Sequence, residues 1–131
     1  ENKKISKKKI INIQNNKTGK LFAFCCECIG IIQGHNLKKR KILKDIGLDI
    51  GLLFQIADDL TDFKGESKIV EKSTKKDKNK GKPNLFNVLG YKKTLNFANS
   101  LKNKINQKIK NYGIKSHDLL QSVEFILNRR F

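Results

Sequence analysis

Residues 21–32 read LFAFCCECIGII, apolar on every side of a helical wheel except at Glu27, the pattern of a helix buried among other helices. A short polar connection, GHNLKKR, separates this element from a longer one over 37–63. The half of the longer element from Ile46 to Phe63 has no proline and two glycines, and predicts a helix. A third helical stretch, 83–112, sets Leu85, Val88 and Leu89, then Leu95, Ala98, Leu101 and Ile105, at helical spacing, with Gly90 as a break. The last helix, 116–129, has Ser116 placed to cap it and Asp118 in its first turn. Residues 1–16 are lysine-rich, then asparagine-rich, with scattered isoleucines, and predict a loop or the frayed end of an element. Residues 64–82, crowded with lysines and holding Gly65 and Gly81, predict a long loop. No segment alternates with period two. The expected fold is all-α.

Composition changes this picture in three places. The chain has 131 residues and no methionine, and it starts at Glu1, so it is expected to be a fragment of a longer product rather than a complete one. Twenty-nine Lys+Arg against twelve Asp+Glu leave a net charge of +17, enough to raise an anionic partner. Arginine, however, occurs only at 40, 129 and 130, whereas readers of base edges rely on its bidentate fork. The joint abundance of lysine, asparagine and isoleucine looks like a coding bias, and a nucleic-acid partner is not expected. Cys25, Cys26 and Cys28 share one apolar run and form neither a disulfide framework nor a closed zinc set, so they are expected to be small core residues of a cytoplasmic protein. Glu27 interrupts the best apolar stretch before it reaches the ~18 residues of a membrane span.

The chemistry lies in the second long helix. With Asp58 at zero and 3.6 residues per turn, Asp62 falls at about 40°, Asp59 at about 100°, Gln55 at about 60° and Gly51 at about 20°, while the apolar residues occupy the remainder. Three carboxylates in one sector of a buried helix repel one another and lose hydration, so they call for a cation. Hard oxygen donors without imidazole or thiolate favour Mg2+, with Mn2+ as a substitute, and such an ion completes its shell with water and substrate phosphates. The competing reading is a helix end whose aspartates fray into water, which the helix dipole disfavours. Lys17 and Thr18, ahead of the first buried helix, could hold a phosphate with free backbone N–H groups. Lys72 and Lys82, in the loop after the aspartates, could close over a diphosphate.

These residues also match a known family. FQIADDLTDFKG, from Phe54, resembles the second aspartate-rich motif of the trans-isoprenyl diphosphate synthases. NKTGKLF, from Asn16, resembles their Lys-Thr segment, and KKDKNKGKPNLFNVLG, from Lys75, their Lys-Asp, Gly-Lys and Leu-Gly loop. The ending FILNRRF is similar to the basic tail of bacterial farnesyl diphosphate synthases. The resemblance implies an isoprenoid-synthase helical bundle of which residues 1–131 are the C-terminal part of a single domain, a homodimer when whole, with a cavity between the helices. It implies Mg2+-dependent condensation of isopentenyl diphosphate with an allylic diphosphate such as dimethylallyl or geranyl diphosphate, giving farnesyl or a similar short-chain prenyl diphosphate.

By the same resemblance, Asp58 is a direct metal ligand, and Asp59 and Asp62 hold the metal's waters. Lys17, Lys72 and Lys82 contact the departing diphosphate, Thr18 and Gln55 line the cavity near the cation, and Arg129 or Arg130 helps to bind isopentenyl diphosphate. Glu71, Lys75 and Asn84 depart from the family's usual residues in the loop. The first aspartate motif would lie before residue 1, so this stretch alone is not expected to catalyse. Two other functions fit less of the sequence: a non-catalytic regulatory subunit of the same fold, and a basic nucleic-acid-binding protein.

Overall fold

A computed structural model describes the backbone of residues 6–70 and 85–128, and the side chains of all of these except 64–70. The chain is all-α, with no strand among the described residues. Over the described part of 1–16, its first element decides between the two expectations, a loop or the frayed end of an element, in favour of a helix. Helix α1, Lys7–Gln14, begins at Ser6, whose Oγ accepts the Lys9 backbone N–H at 3.3 Å. The scattered isoleucines and a glutamine give it an inner face: Ile10 and Gln14, one turn apart, are both buried while Lys7, Lys8 and Lys9 stay in water.

Helix α1 does not end before the next element. A π-helical turn, Asn15–Gly19, carries it into α2, Lys20–Ile32, as one unbroken rod. A correction follows, because Lys17 and Thr18 sit inside a continuous helix and have no free helix N-terminus beside them. After Gln33, Gly34 turns left-handed at φ 66°; the Gly34 and His35 N–H groups donate to Ile31 O at 3.0 Å and Gly30 O at 2.8 Å, closing the helix end. Asn36 then caps α3 through Oδ1, which accepts the Lys39 N–H at 3.0 Å.

Helix α3, Leu37–Val70, runs past the expected end at Phe63 into the stretch read as loop. Lysine, glutamate and isoleucine sustain a helix, and the one glycine there, Gly65, costs about 1 kcal/mol, which the turns before it can carry. Helix α4, Leu85–Leu89, and α5, Tyr91–Lys110, are separated at Gly90, as expected, where φ is 76°. A 3-10 turn, Gly113–Ser116, leads into α6, His117–Asn128. Ser116 is buried in that turn, and its Oγ donates to Gly113 O at 2.6 Å, turned back on its own loop instead of capping α6.

Helix α3 is the axis of the fold. Ile46, Ile50, Leu53, Ile56 and Leu60 meet Ile10 of α1, Leu85 of α4, Leu101, Ile105 and Ile109 of α5, and Val123 of α6 in one core. Interhelical ion pairs flank it: Asp49 with Lys104 at 3.1 Å and Lys108 at 2.8 Å, and Glu124 with Lys102 at 3.0 Å. On the other side Glu27 pairs with Lys44 at 3.0 Å and Arg40 at 3.4 Å.

Where α2 crosses α3 the contact is made by small residues. A Cβ on Gly47 would lie 2.4 Å from the carbonyl oxygen of Phe22 and 2.7 Å from Cα of Ala23, and one on Gly51 would lie 2.8 Å from Cα of Gly19. The two glycines of α3 are therefore the surface on which α2 rests, and their spacing of four presents them on one face.

The far side of α2 corrects the expectation of burial all round. Leu21, Phe24, Ile29, Ile31 and Ile32 are exposed, and only Ala23 and Gly30 are buried. Cys25 is exposed too, with Cys26 and Cys28 half-buried, so the cysteines are not core residues; burial and the neighbouring Cys25 push the Cys26 thiol up. Among the described residues no helix is long and apolar enough to cross a membrane.

Candidate functional site

The crossing of the rod over α3 brings the π turn directly onto the polar sector of that helix. A π turn packs an extra residue into one turn and rotates the side chains that follow, and such turns recur at functional sites. Gly19 sits against Gly51, and one residue before it Thr18 donates its hydroxyl to Oε1 of Gln55 at 2.9 Å. One turn further along α3, Asp59 accepts from Nε2 of Gln14 through Oδ2 at 3.1 Å. Phe63, at the far end of the stripe, stacks on Phe86 with centroids 4.2 Å apart and on Tyr91 at 5.7 Å, which ties the aspartate segment to α4 and α5.

Asp58 and Asp59 are half-buried and Asp62 is exposed. Burial, above all, raises the Asp59 carboxyl to about 6, with the like charges of Asp62 and Asp58 acting the same way. The Gln14 hydrogen bond and the charge of Lys17 oppose the rise without cancelling it. Asp59 thus feels the negative charge of both neighbouring aspartates as well as the loss of water. Among the described residues no three Asp, Glu, His or Cys side chains converge to enclose a metal by themselves. The donors that do meet here, carboxylate and amide oxygens with no imidazole or thiolate, suit a hard divalent cation that takes several ligands from outside the protein.

Beside the stripe, the Phe22 and Phe54 rings lie 5.7 Å apart and line an open groove of about 710 Å³ with Asp118, Ser122, Phe125 and Ile126 of α6. Of the residues singled out from the sequence, Lys17, Thr18, Gln55, Asp58, Asp59 and Asp62 are brought to one place. Lys72, Lys82, Arg129 and Arg130, and the divergent loop positions Glu71, Lys75 and Asn84, lie outside the described residues. Sequence reasoning missed Gln14, because the stretch containing it was read as a loop or a frayed helix end, with no inner face. Its spacing of four from Ile10 was the available signal of a buried helical face.

The polyprenyl synthetase family model matches residues 1–123. The octaprenyl diphosphate synthase of Escherichia coli is 33% identical over 81 residues, which is 62% of this chain and 25% of the relative. The farnesyl diphosphate synthase of Micrococcus luteus is 26% identical over 129 residues, 98% of this chain and 44% of the relative. Among solved structures, an FPP/GFPP synthase from Zymomonas mobilis superposes with a TM-score of 0.77 at 29% identity, covering 96% of this chain and 40% of its own. A geranyltransferase from Helicobacter pylori has the same fold, with a TM-score of 0.71 at 22% identity, over 97% of this chain and 40% of its own. The chain spans between a quarter and somewhat under half of the length of these relatives.

Proposed function

The chain belongs to the polyprenyl synthetase family, and from that premise we propose that it supplies the diphosphate-departure side of a prenyl diphosphate synthase. In this reading the whole protein condenses isopentenyl diphosphate with an allylic diphosphate, dimethylallyl or geranyl, and its product is farnesyl diphosphate or a similar short-chain prenyl diphosphate. It works as a homodimer. The observation that carries the reading is the meeting of the aspartate sector of α3 with Lys17 and Thr18 of the π turn, two motifs 37 residues apart joined through the Thr18–Gln55 hydrogen bond.

Asp58, Asp59 and Asp62 would hold Mg2+, which when bound supplies positive charge where the diphosphate leaves. The chain's own residues do the remaining work. Lys17, exposed at the edge of the carboxylates, meets diphosphate oxygens with a mobile point charge, and Lys72 and Lys82 add two more from the segment after α3. The Thr18 hydroxyl is fixed by Gln55, so the Gln55 amide stands in one orientation and presents a constant dipole to a developing allylic cation. Phe54 and Phe22 wall the adjacent groove and keep water from that cation. Arg129 or Arg130 binds the second diphosphate.

The test is an assay of the intact natural polypeptide containing these residues, with both allylic substrates, isopentenyl diphosphate and Mg2+. Product is expected, of a length read by chromatography, and Asp58→Ala should lower kcat by about 10²–10³-fold. Folded wild type that makes no product would reverse the conclusion in favour of a non-catalytic subunit of this fold.

A further inference from the structure

One neighbour of the aspartates belongs to neither the aspartate nor the lysine–threonine motif. Gln14, the last residue of α1, is 4% exposed, and a primary amide buried so deeply is costly unless its polar atoms are used. Only one of the two is. Nε2 donates to Asp59 Oδ2 at 3.1 Å, while Oε1 is buried with no partner among the described residues. The next side chain, Asn15, also has a buried and unpartnered Oδ1.

The orientation of the Gln14 amide follows from its neighbour. Turned over, it would set a carbonyl oxygen against a carboxylate oxygen, lone pair against lone pair. Held as it is, it removes rotational freedom from the Asp59 carboxylate and occupies Oδ2, which leaves Oδ1 as that group's free face. The buried Gln14 Oε1, on the same amide that holds that carboxylate, makes an edge that can only accept hydrogen bonds. Such an edge is complementary to the hydrogens of water held by a hydrated cation, and outer groups of this kind orient the inner ones.

Resting on the reading of this place as a cation and diphosphate site, we propose that Gln14 is its positioning residue: Nε2 fixes the Asp59 carboxylate, and Oε1 accepts from the ligand's water shell. The proposal places a residue of α1, remote in sequence from the aspartate motif, in control of cation affinity.

The experiment measures Mn2+ binding by electron paramagnetic resonance in the presence of inorganic pyrophosphate, on the intact natural polypeptide. Wild type is compared with Gln14→Met, Asp59→Asn, their double variant, and Ile10→Val, which perturbs the same helix away from the aspartates. Gln14→Met should weaken Mn2+ by about 10–100-fold. Ile10→Val should bind as wild type does, and the double variant should be no weaker than Asp59→Asn alone, because Gln14 acts through Asp59. If Gln14→Met does not fold, Gln14→Leu removes the same donor. Unchanged binding in the folded Gln14 variant beside a loss in Asp59→Asn would overturn this inference alone. Wild-type affinity in both, or no Mn2+ bound by wild type, would overturn the inference together with the function it rests on.

Discussion

Asp59 is held between groups that push its proton in opposite directions, and the balance can be read as stability against pH. Burial is the largest cause, so ionisation is penalised in the folded state, and the carboxyl rises from 3.8 to about 6. A raised acid makes the folded chain take up more protons than the unfolded one between those values. Its contribution therefore falls as pH rises from about 4 to about 6 and changes little above that. Glu27 and Glu124, whose carboxyls are lowered mainly by hydrogen bonds from Lys44 and Lys102, act with the opposite sign, so the effect has to be taken by difference. In thermal melts with chelator present, wild type minus Asp59→Asn should show stability declining across that window, and added Mg2+ should flatten the decline. At this scale the shared sector of Asp58, Asp59, Asp62 and Gln55 was legible, because spacing along a helix is written in the chain. Thr18, by contrast, was expected at a helix start and lies inside the rod. Gln14 was not legible, since a glutamine one turn after a single isoleucine is too weak a signal of a buried face until the fold buries it.

Among elements, the contact of α2 with α3 is the most exacting. A methyl group on Gly47 would meet backbone atoms that no rotamer change can move, 2.4 Å from the Phe22 carbonyl. Gly47→Ala should cost about 3 kcal/mol, the upper end for overpacking, measured by urea denaturation. Gly34, with nothing within 4 Å, offers the contrast: Gly34→Ala meets only the left-handed strain of φ +66° and should cost about 1 kcal/mol. In the core, Ile105→Ala removes a side chain with no exposure and should cost about 2–5 kcal/mol. The helices with strong apolar periodicity were legible to within a few residues, as was the break at Gly90. Helix α1 was not, because two inward residues among lysines and asparagines make too faint a stripe, and the π turn has no sequence signature of its own.

For the whole molecule, the open side of α2 is the main consequence. Leu21, Phe24, Ile31 and Ile32 fall on one side of the wheel, opposite Ala23 and Gly30, and the exposures of Phe24 at 64% and Ile32 at 80% leave a continuous apolar stripe in water. The 131 residues produced alone should self-associate with rising concentration in sedimentation velocity. The double substitution Leu21→Lys with Phe24→Lys should suppress that without loss of helicity, since both side chains are mostly exposed.

The sequence by itself determined the all-α class, the main helices and the aspartate sector of α3, because helical periodicity and carboxylate spacing are local properties that travel with the chain. The tertiary structure decided what those residues meet. It set the π turn over the stripe, paired Thr18 with Gln55 and Gln14 with Asp59, and left one side of α2 bare. Those outcomes depend on how closely two helices can approach, and the approach is governed by Gly19, Gly47 and Gly51 acting together across the contact, a relation no single stretch of sequence contains.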